Sequence, residues 1–234
     1  NRSLQVVGAN GKLQSIETNR LQSNSIPEPF VETIFEDRSG GVWFGLKTKG
    51  VAMLSLNSKS FAHFFNEGDM PDLPNNDVFS IETGANNVIW FGTLNGVINW
   101  DRATNQFRVF TSQNSSLPSS SIWSLWPQGN DSVWLGTSDG LHLFFPKSGK
   151  RKTFVHITDN NNSLCSNEIS TVTRDSKGYI WVGTTNGLSR YDERTGQFKN
   201  YYQNGGSGLS FDAIWHVFVD SKKRLWVGTE KGLD

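Results

Sequence analysis

The chain has 234 residues, enough for one large or two small domains, and 22 Lys and Arg balance 22 Asp and Glu. With no net charge there is no field to draw nucleic acid or an acidic membrane surface, so neither partner is expected. Charged residues are only 19% of the chain while Trp (9) and Phe (16) are abundant, which is the composition of a turn-rich β-protein. The apolar runs are far too short to cross a bilayer as a helix, and the first residues lack the apolar core of a signal peptide, so no membrane contact by this chain is expected.

In chain order, Leu4-Gln5-Val6-Val7, a Gly8-Ala9-Asn10-Gly11 turn and Lys12-Leu13-Gln14-Ser15-Ile16 predict a two-stranded hairpin within residues 1–25. It lines up with the second half of a later repeat, Leu188 to Tyr201, and reads as half a blade. The repeat itself is clearest at Ile180-Trp181-Val182-Gly183-Thr184-Thr185-Asn186-Gly187-Leu188. Relatives of that stretch place Trp43, Trp90, Trp134, Trp181 and Trp226 at intervals of 47, 44, 47 and 45 residues. A period of roughly 40 to 50 residues without a 3.6-residue apolar stripe is the length of a four-stranded propeller blade. Blades are predicted over residues 26–66, 73–112, 117–157 and 164–203, with a half blade over 209–234 that stops after its second strand. Polar connectors at 66–72 and 158–163 suit exposed loops. The expected fold is a single all-β propeller domain over 1–234. It would have five blades, the N-terminal hairpin completing the last sheet and removing an open strand edge; the alternative is a fragment of a larger ring.

Comparing the units with one another separates positions that repeat from positions that vary. Trp43, Trp90, Trp134, Trp181 and Trp226 repeat without exception, as do Gly45, Gly92, Gly136, Gly183 and Gly228. These are assigned to the scaffold, the indole filling the space between blades and the glycine permitting close approach. Asp37 to Trp43 and Asp175 to Trp181 share an Asp-x-x-Gly-x-x-Trp spacing that resembles the Asp-box turn of sialidase-type propellers. There aspartate binds turn amides and glycine supplies a positive φ. Asp220 keeps the acid, whereas Gly84 and Gln128 replace it. Acids this scattered do not make a calcium loop, and His63, His142, His156 and His216 lack metal-ligand spacing, so no metal and no cofactor are expected. Cys165 is alone, which excludes an internal disulfide; in register it replaces Pro74 and Pro118.

Function is sought where the units differ. The incoming position of the first strand reads Glu32, Phe79, Trp123, Ser170 and Trp215, a variable and largely aromatic set. It is flanked by Asn76, Glu168 and Asp212 in the incoming loops and by Asn95, Asp139 and Asn186 in the hairpins between second and third strands. Aromatic faces there would stack on a sugar or another flat apolar face, and the polar neighbours would bond its hydroxyls. Singly, each residue also reads as an exposed loop residue or a packing aromatic. No catalytic residue is assigned. An enzyme, a lyase or glycoside hydrolase using Glu168, Asp212 and Asp139, would need two carboxyls at a set separation, which spacing in a repeat does not establish. A protein-binding platform would use the same face.

The combination of Leu73-Pro74-Asn75-Asn76-Asp77-Val78, Leu117-Pro118-Ser119-Ser120-Ser121-Ile122 and Gly183-Thr184-Thr185-Asn186-Gly187-Leu188, repeated in register over most of the chain, resembles the two-component regulator propeller repeat family. The resemblance implies the extracytoplasmic, periplasmic sensor region of a membrane-bound hybrid histidine kinase or diguanylate cyclase. It implies a non-catalytic propeller taking a small-molecule or oligosaccharide ligand, a glycan fragment in several lineages, with kinase or cyclase output outside these residues. It allows a homodimer in the full-length receptor, and it makes the alternative ring seven-bladed. The first unit departs from the pattern, with Gly45-Leu46-Lys47-Thr48-Lys49-Gly50 in place of the short Gly-Thr turn.

Overall fold

The computed structural model describes residues 4–7, 12–16, 25–55, 60–64, 75–118, 121–129, 131–206 and 208–234. The expected turn at 8–11, the connector at 66–72 and the pair Leu73-Pro74 lie outside the described residues. The chain divides into two compact units, residues 1–83 with 87–109, and residues 84–86 with 110–234. Each is described by itself.

In the first unit β1 (Leu4–Val7) and β2 (Leu13–Ile16) pair with each other as a two-stranded sheet. Next comes a four-stranded antiparallel sheet of β3 (Val31–Glu36), β4 (Val42–Leu46), β5 (Val51–Ser55) and β6 (Ser60–Phe64). A second follows, of β7 (Val78–Thr83), β8 (Val88–Thr93), β9 (Gly96–Asp101) and β10 (Gln106–Phe110). The second unit holds β11 (Ser124–Gln128), β12 (Ser132–Thr137), β13 (Gly140–Phe145) and β14 (Lys150–Phe154) in one sheet. Its next sheet is β15 (Ile169–Arg174), β16 (Ile180–Thr184), β17 (Gly187–Asp192) and β18 (Gln197–Tyr201), followed by a three-stranded sheet of β19 (Ile214–Val219), β20 (Leu225–Thr229) and β21 (Gly232–Leu233). The repeat is an all-β propeller blade of four up-and-down strands, complete four times.

The last sheet does not stop at its second strand: Val227 and Asp234 exchange backbone hydrogen bonds of 3.0 and 2.9 Å, and β21 takes the place beside β20 that a third strand occupies in the preceding blades. The ladder described for β1 and β2 runs between the two of them.

Three side-chain devices, each repeated, make these residues fold as blades. A threonine after the second-strand glycine closes the next hairpin, its hydroxyl donating to the carbonyl of the glycine that opens the third strand. This occurs at Thr93 to Gly96 (3.0 Å), Thr137 to Gly140 (2.9 Å), Thr184 to Gly187 (2.8 Å) and Thr229 to Gly232 (3.0 Å). Those glycines have φ between 118° and 156°, where L-residues are strained. The first blade lacks this threonine, and the buried Glu28 substitutes for it: its carboxylate accepts from the amides of Thr48 (2.6 Å) and Lys49 (2.9 Å) and from the Thr48 hydroxyl (2.8 Å).

The second device joins the first hairpin to the tryptophan. The indole N–H donates to a residue six positions earlier, from Trp43 to Asp37 (2.9 Å), Trp181 to Asp175 (2.8 Å) and Trp226 to Asp220 (3.0 Å), and from Trp134 to the Gln128 amide oxygen (2.5 Å). Burial pushes the Asp37 carboxyl up, but hydrogen bonds from Ser39, Trp43 and Gly41 outweigh it and hold it at about 2. The same residue reaches the neighbouring blade. Asp37 pairs with Arg102 at 2.7 Å, whereas the neutral amide of Gln128 donates to Glu193 at 3.1 Å, so where the acid is replaced by an amide the partner changes from a cation to an anion.

The third device is the glycine two residues after each tryptophan. A Cβ on Gly45 would sit 2.7 Å from the Val78 carbonyl. On Gly136 it would sit 2.6 Å from the Ile169 side chain, and on Gly183, 2.7 Å from that of Ile214. The bare backbone is the socket into which the next blade's first strand packs, and the knob is β-branched each time. Around these contacts lie the cores, with Trp43, Phe91, Ile98 and Trp100 in the first unit, and Trp134, Ile169, Val172 and Tyr191 in the second. A Cβ on Gly228 would meet nothing nearer than its own blade's His216, at 3.6 Å.

Gly183→Ala should therefore cost about 2 kcal/mol by overpacking, whereas Gly228→Ala should change stability by less than about 0.5 kcal/mol. Denaturant titration of both variants checks this, and equal losses would remove the socket role.

Candidate functional site

The variable incoming positions have a common backbone feature that sequence spacing did not predict. In β3, β7, β15 and β19 the register with the second strand slips between residues 31 and 33, 78 and 80, 169 and 171, and 214 and 216. Glu32, Phe79, Ser170 and Trp215 are the extra residues of four β-bulges. Trp123 stands at the same place, immediately before β11, its N–H donating to Gly136 O at 3.0 Å. A bulge withdraws one residue from the ladder and re-aims its side chain. Consequently Trp215 is 67% and Trp123 41% exposed, although each adjoins a fully buried Ile.

In four of the blades the incoming loop and the second hairpin meet through one backbone bond. A hairpin amide donates to the loop carbonyl, from Lys47 to Phe30 (3.1 Å), Leu94 to Asp77 (3.1 Å), Thr185 to Glu168 (3.2 Å) and Glu230 to Ala213 (3.0 Å). The glycine opening the third strand then reaches the following blade's loop, from Gly50 to Asn76 O (2.9 Å) and from Gly187 to Asp212 O (2.7 Å). Loops and hairpins thus form one rim within each unit. Glu32, Phe79, Asn76 and Asn95 lie in the first unit; Trp123, Ser170, Trp215, Glu168, Asp212, Asp139 and Asn186 lie in the second.

In the second unit the first strands run side by side and are tied together. Val172 N donates to Ser124 Oγ at 2.9 Å, and Ser170 Oγ lies 2.6 Å from Ile214 O. The bulge positions therefore read Trp123, Ser170, Trp215 across three adjacent strands, with a small residue between two exposed indoles. Asn95, Asp139, Asn186 and Glu168 are exposed on the rim. Asp212 is committed to its surroundings: its Oδ1 accepts from Gln203 N at 2.6 Å.

The scaffold residues occupy other ground. Trp43, Trp90 and Trp134 are buried, and Trp181 and Trp226 half-buried. The lone thiol of Cys165 is buried, receives a hydrogen bond from Ser189 Oγ (3.2 Å), and is pushed above its usual range by burial. Among the described residues no three His, Cys, Asp or Glu gather as a metal site.

Sequence spacing does not single out His142. It lies on β13 under the Asp139 hairpin, buried, with Nε2 3.2 Å from Thr137 Oγ1 and Nδ1 3.0 Å from Thr153 Oγ1. Burial, followed by nearby Arg151 and against the pull of Asp139, lowers its pKa to about 4.

A family model described as two component regulator propeller matches residues 72–95, 163–186 and 208–231. The three stretches are similar to the repeat that this model describes. Each matched stretch runs from an incoming loop through the first strand to the tryptophan hairpin. The extracellular domain of the putative hybrid two component system BT4673 from B. thetaiotaomicron is 27% identical, with a TM-score of 0.68 over 87% of this chain and 26% of that one. The corresponding domain of BT3049 from the same organism is 19% identical, with a TM-score of 0.74 over 95% and 36%. The chain thus spans about a quarter to a third of their length. Streptogramin B lyase has the fold at 16% identity and a TM-score of 0.68, over 99% of this chain and 70% of that one. No curated protein matches the sequence.

The His142 geometry has a pH consequence. Its folded pKa of about 4 lies below the ordinary 6.5, so its contribution is fully present above pH 6.5 and is lost as pH falls toward 4, on the order of 3 kcal/mol in all. Glu82 on β7 opposes it: burial raises its carboxyl from 4.5 to about 8, which lowers stability as pH rises through that window. His142→Ser, copying Ser189 at the same blade position, should abolish the His142 component alone. Melting the parent and variant from pH 4 to 7 checks it, and parallel profiles would refute it.

Proposed function

We propose that this chain is a ligand-sensing, non-catalytic propeller segment in the extracytoplasmic, periplasmic part of a membrane-bound two-component receptor. The rim of its second unit would take a small molecule with a flat apolar face and several hydroxyls, an oligosaccharide fragment being the best fit. The observation that carries the reading is the pair of exposed tryptophans, Trp123 just before β11 and Trp215 in the β19 bulge, either side of Ser170. A sugar presents an apolar C–H face for stacking and hydroxyls for the rim, where Glu168, Asp139 and Asn186 are exposed. The similarity to extracellular domains of putative hybrid two component systems supports the receptor setting. Among the described residues no helix is long and apolar enough to cross a membrane, so anchoring and output belong to other parts of such a receptor. The lyase likeness speaks to fold alone.

Trp123→Ala and Trp215→Ala should fold as the parent does but bind a responsive oligosaccharide about thirtyfold more weakly each, the loss of about 2 kcal/mol typical of a stacking aromatic. An oligosaccharide panel screened by intrinsic fluorescence and followed by calorimetry measures this. If both variants keep the parent's affinity for any hit, the site lies elsewhere; turnover of the hit would favour the enzyme reading.

A further inference from the structure

The outermost strand breaks the repeat in one blade. Its second residue is Phe61 on β6, Phe107 on β10 and Phe198 on β18, each half-buried, but Arg151 on β14, which is exposed. Arg151 lies between Lys150 and Lys152, both exposed, and Lys147 precedes them in the same hairpin, so four cations fall within six residues. Lys147 pairs with Asp131 at 2.5 Å, while among the described residues no ion pair reaches Lys150, Arg151 or Lys152. The Arg151 guanidinium donates to Ser116 O and to Thr153 Oγ1 (3.2 Å), neutral partners that leave its charge in place. Directly beyond β14 the chain presents apolar side chains, Val155 being 39% and Ile157 51% exposed. Their segment is held in place, because His156 N donates to Asn167 Oδ1 at 2.7 Å and Ile157 N to Ser163 Oγ at 3.0 Å. The whole strip belongs to the second unit, on a blade that has a complete blade before and after it in the chain.

We propose that this strip docks on an anionic bilayer surface, its cations meeting lipid headgroups while Val155 and Ile157 enter the headgroup layer. The chemistry of the segment chooses the occupant. Cations and exposed aliphatic side chains follow one another on a single stretch of chain, and a lipid surface attracts both, about fivefold in affinity for each Lys or Arg near an anionic leaflet and more for the apolar area buried. A peptide added as a further strand would instead need free backbone donors, and those of His156 and Ile157 are already bonded to Asn167 and Ser163. Lysines on an edge strand also discourage unwanted strand pairing. That accounts for Lys150 and Lys152, but not for a cation on the opposite face of the strand where the other complete blades carry phenylalanine. The neutral total of the chain does not cancel the strip, because exposed charges beyond a Debye length, about 8 Å at physiological salt, are screened from it.

Co-sedimentation of the 234-residue chain with phosphatidylcholine vesicles, pure or mixed with phosphatidylglycerol, tests this. The parent should bind the mixed vesicles, ignore the neutral ones, and be released as salt is raised. Lys150→Gln with Lys152→Gln should keep the parent's melting temperature and weaken binding about thirtyfold. Ile157→Asn should also weaken it, leaving its salt dependence as in the parent, which a purely electrostatic contact would not show. Removing two exposed cations elsewhere in the second unit, by Lys177→Gln with Lys222→Gln, should leave binding as it is. A parent that ignores the mixed vesicles overturns the proposal. So does an equal loss from the Lys177 and Lys222 pair, which would assign the attraction to charge spread over the chain. Undiminished binding by Ile157→Asn, together with equally tight capture of soluble polyglutamate, overturns it too and gives the strip to an acidic protein.

Discussion

The contact on which the rest of this molecule depends is a missing side chain. Where Gly45, Gly136 and Gly183 present bare backbone, the first strand of the following blade comes within a distance that any Cβ would block. Close packing of β-branched knobs into those sockets lets sheets with different surfaces stack at one spacing, because the joint uses backbone shape and a common knob. The tryptophan beside each glycine fills the wider part of the gap. Its indole N–H is then a polar group taken out of water, and the residue six positions earlier satisfies it.

That arrangement separates what repeats from what varies. Threonine hydroxyls, the indole acceptor and the bare glycine are all internal to a blade or to one joint, so they recur from blade to blade, the threonine bond in four sheets and the indole bond in four. Substitutions at these places keep the bond and change the atom that makes it. Gln128 accepts from Trp134 as Asp37 does from Trp43, and Glu28 takes over from a threonine in the first blade. The bulge residues stand outside the residue-to-residue pairing of their own ladder, and there Glu32, Phe79, Ser170 and Trp215 differ. A repeat protein can then vary its recognition surface without touching its core. Two titratable groups shifted by burial, His142 and Glu82, break the repeat inside the sheets and give the fold opposed pH dependences.

Much of this was legible in the chain by itself. A fixed spacing of tryptophan, glycine and turn residues defines the blade, because each four-stranded unit must return to the same place, and that periodicity is written in order along the sequence. The candidate rim was legible for the same reason: positions that break a repeat stand out against those that keep it. Tertiary structure alone decided which side chains emerge from the ladder, since a bulge is set by how two strands pair and leaves no mark in composition. It decided that Asp212 is held by Gln203 N while Glu168 is exposed, and that His142 sits between two threonines. It decided too that β21 completes a third strand and that the N-terminal hairpin pairs with itself. These depend on contacts between residues far apart in the chain, where a linear pattern carries register within a strand but not the choice of neighbour.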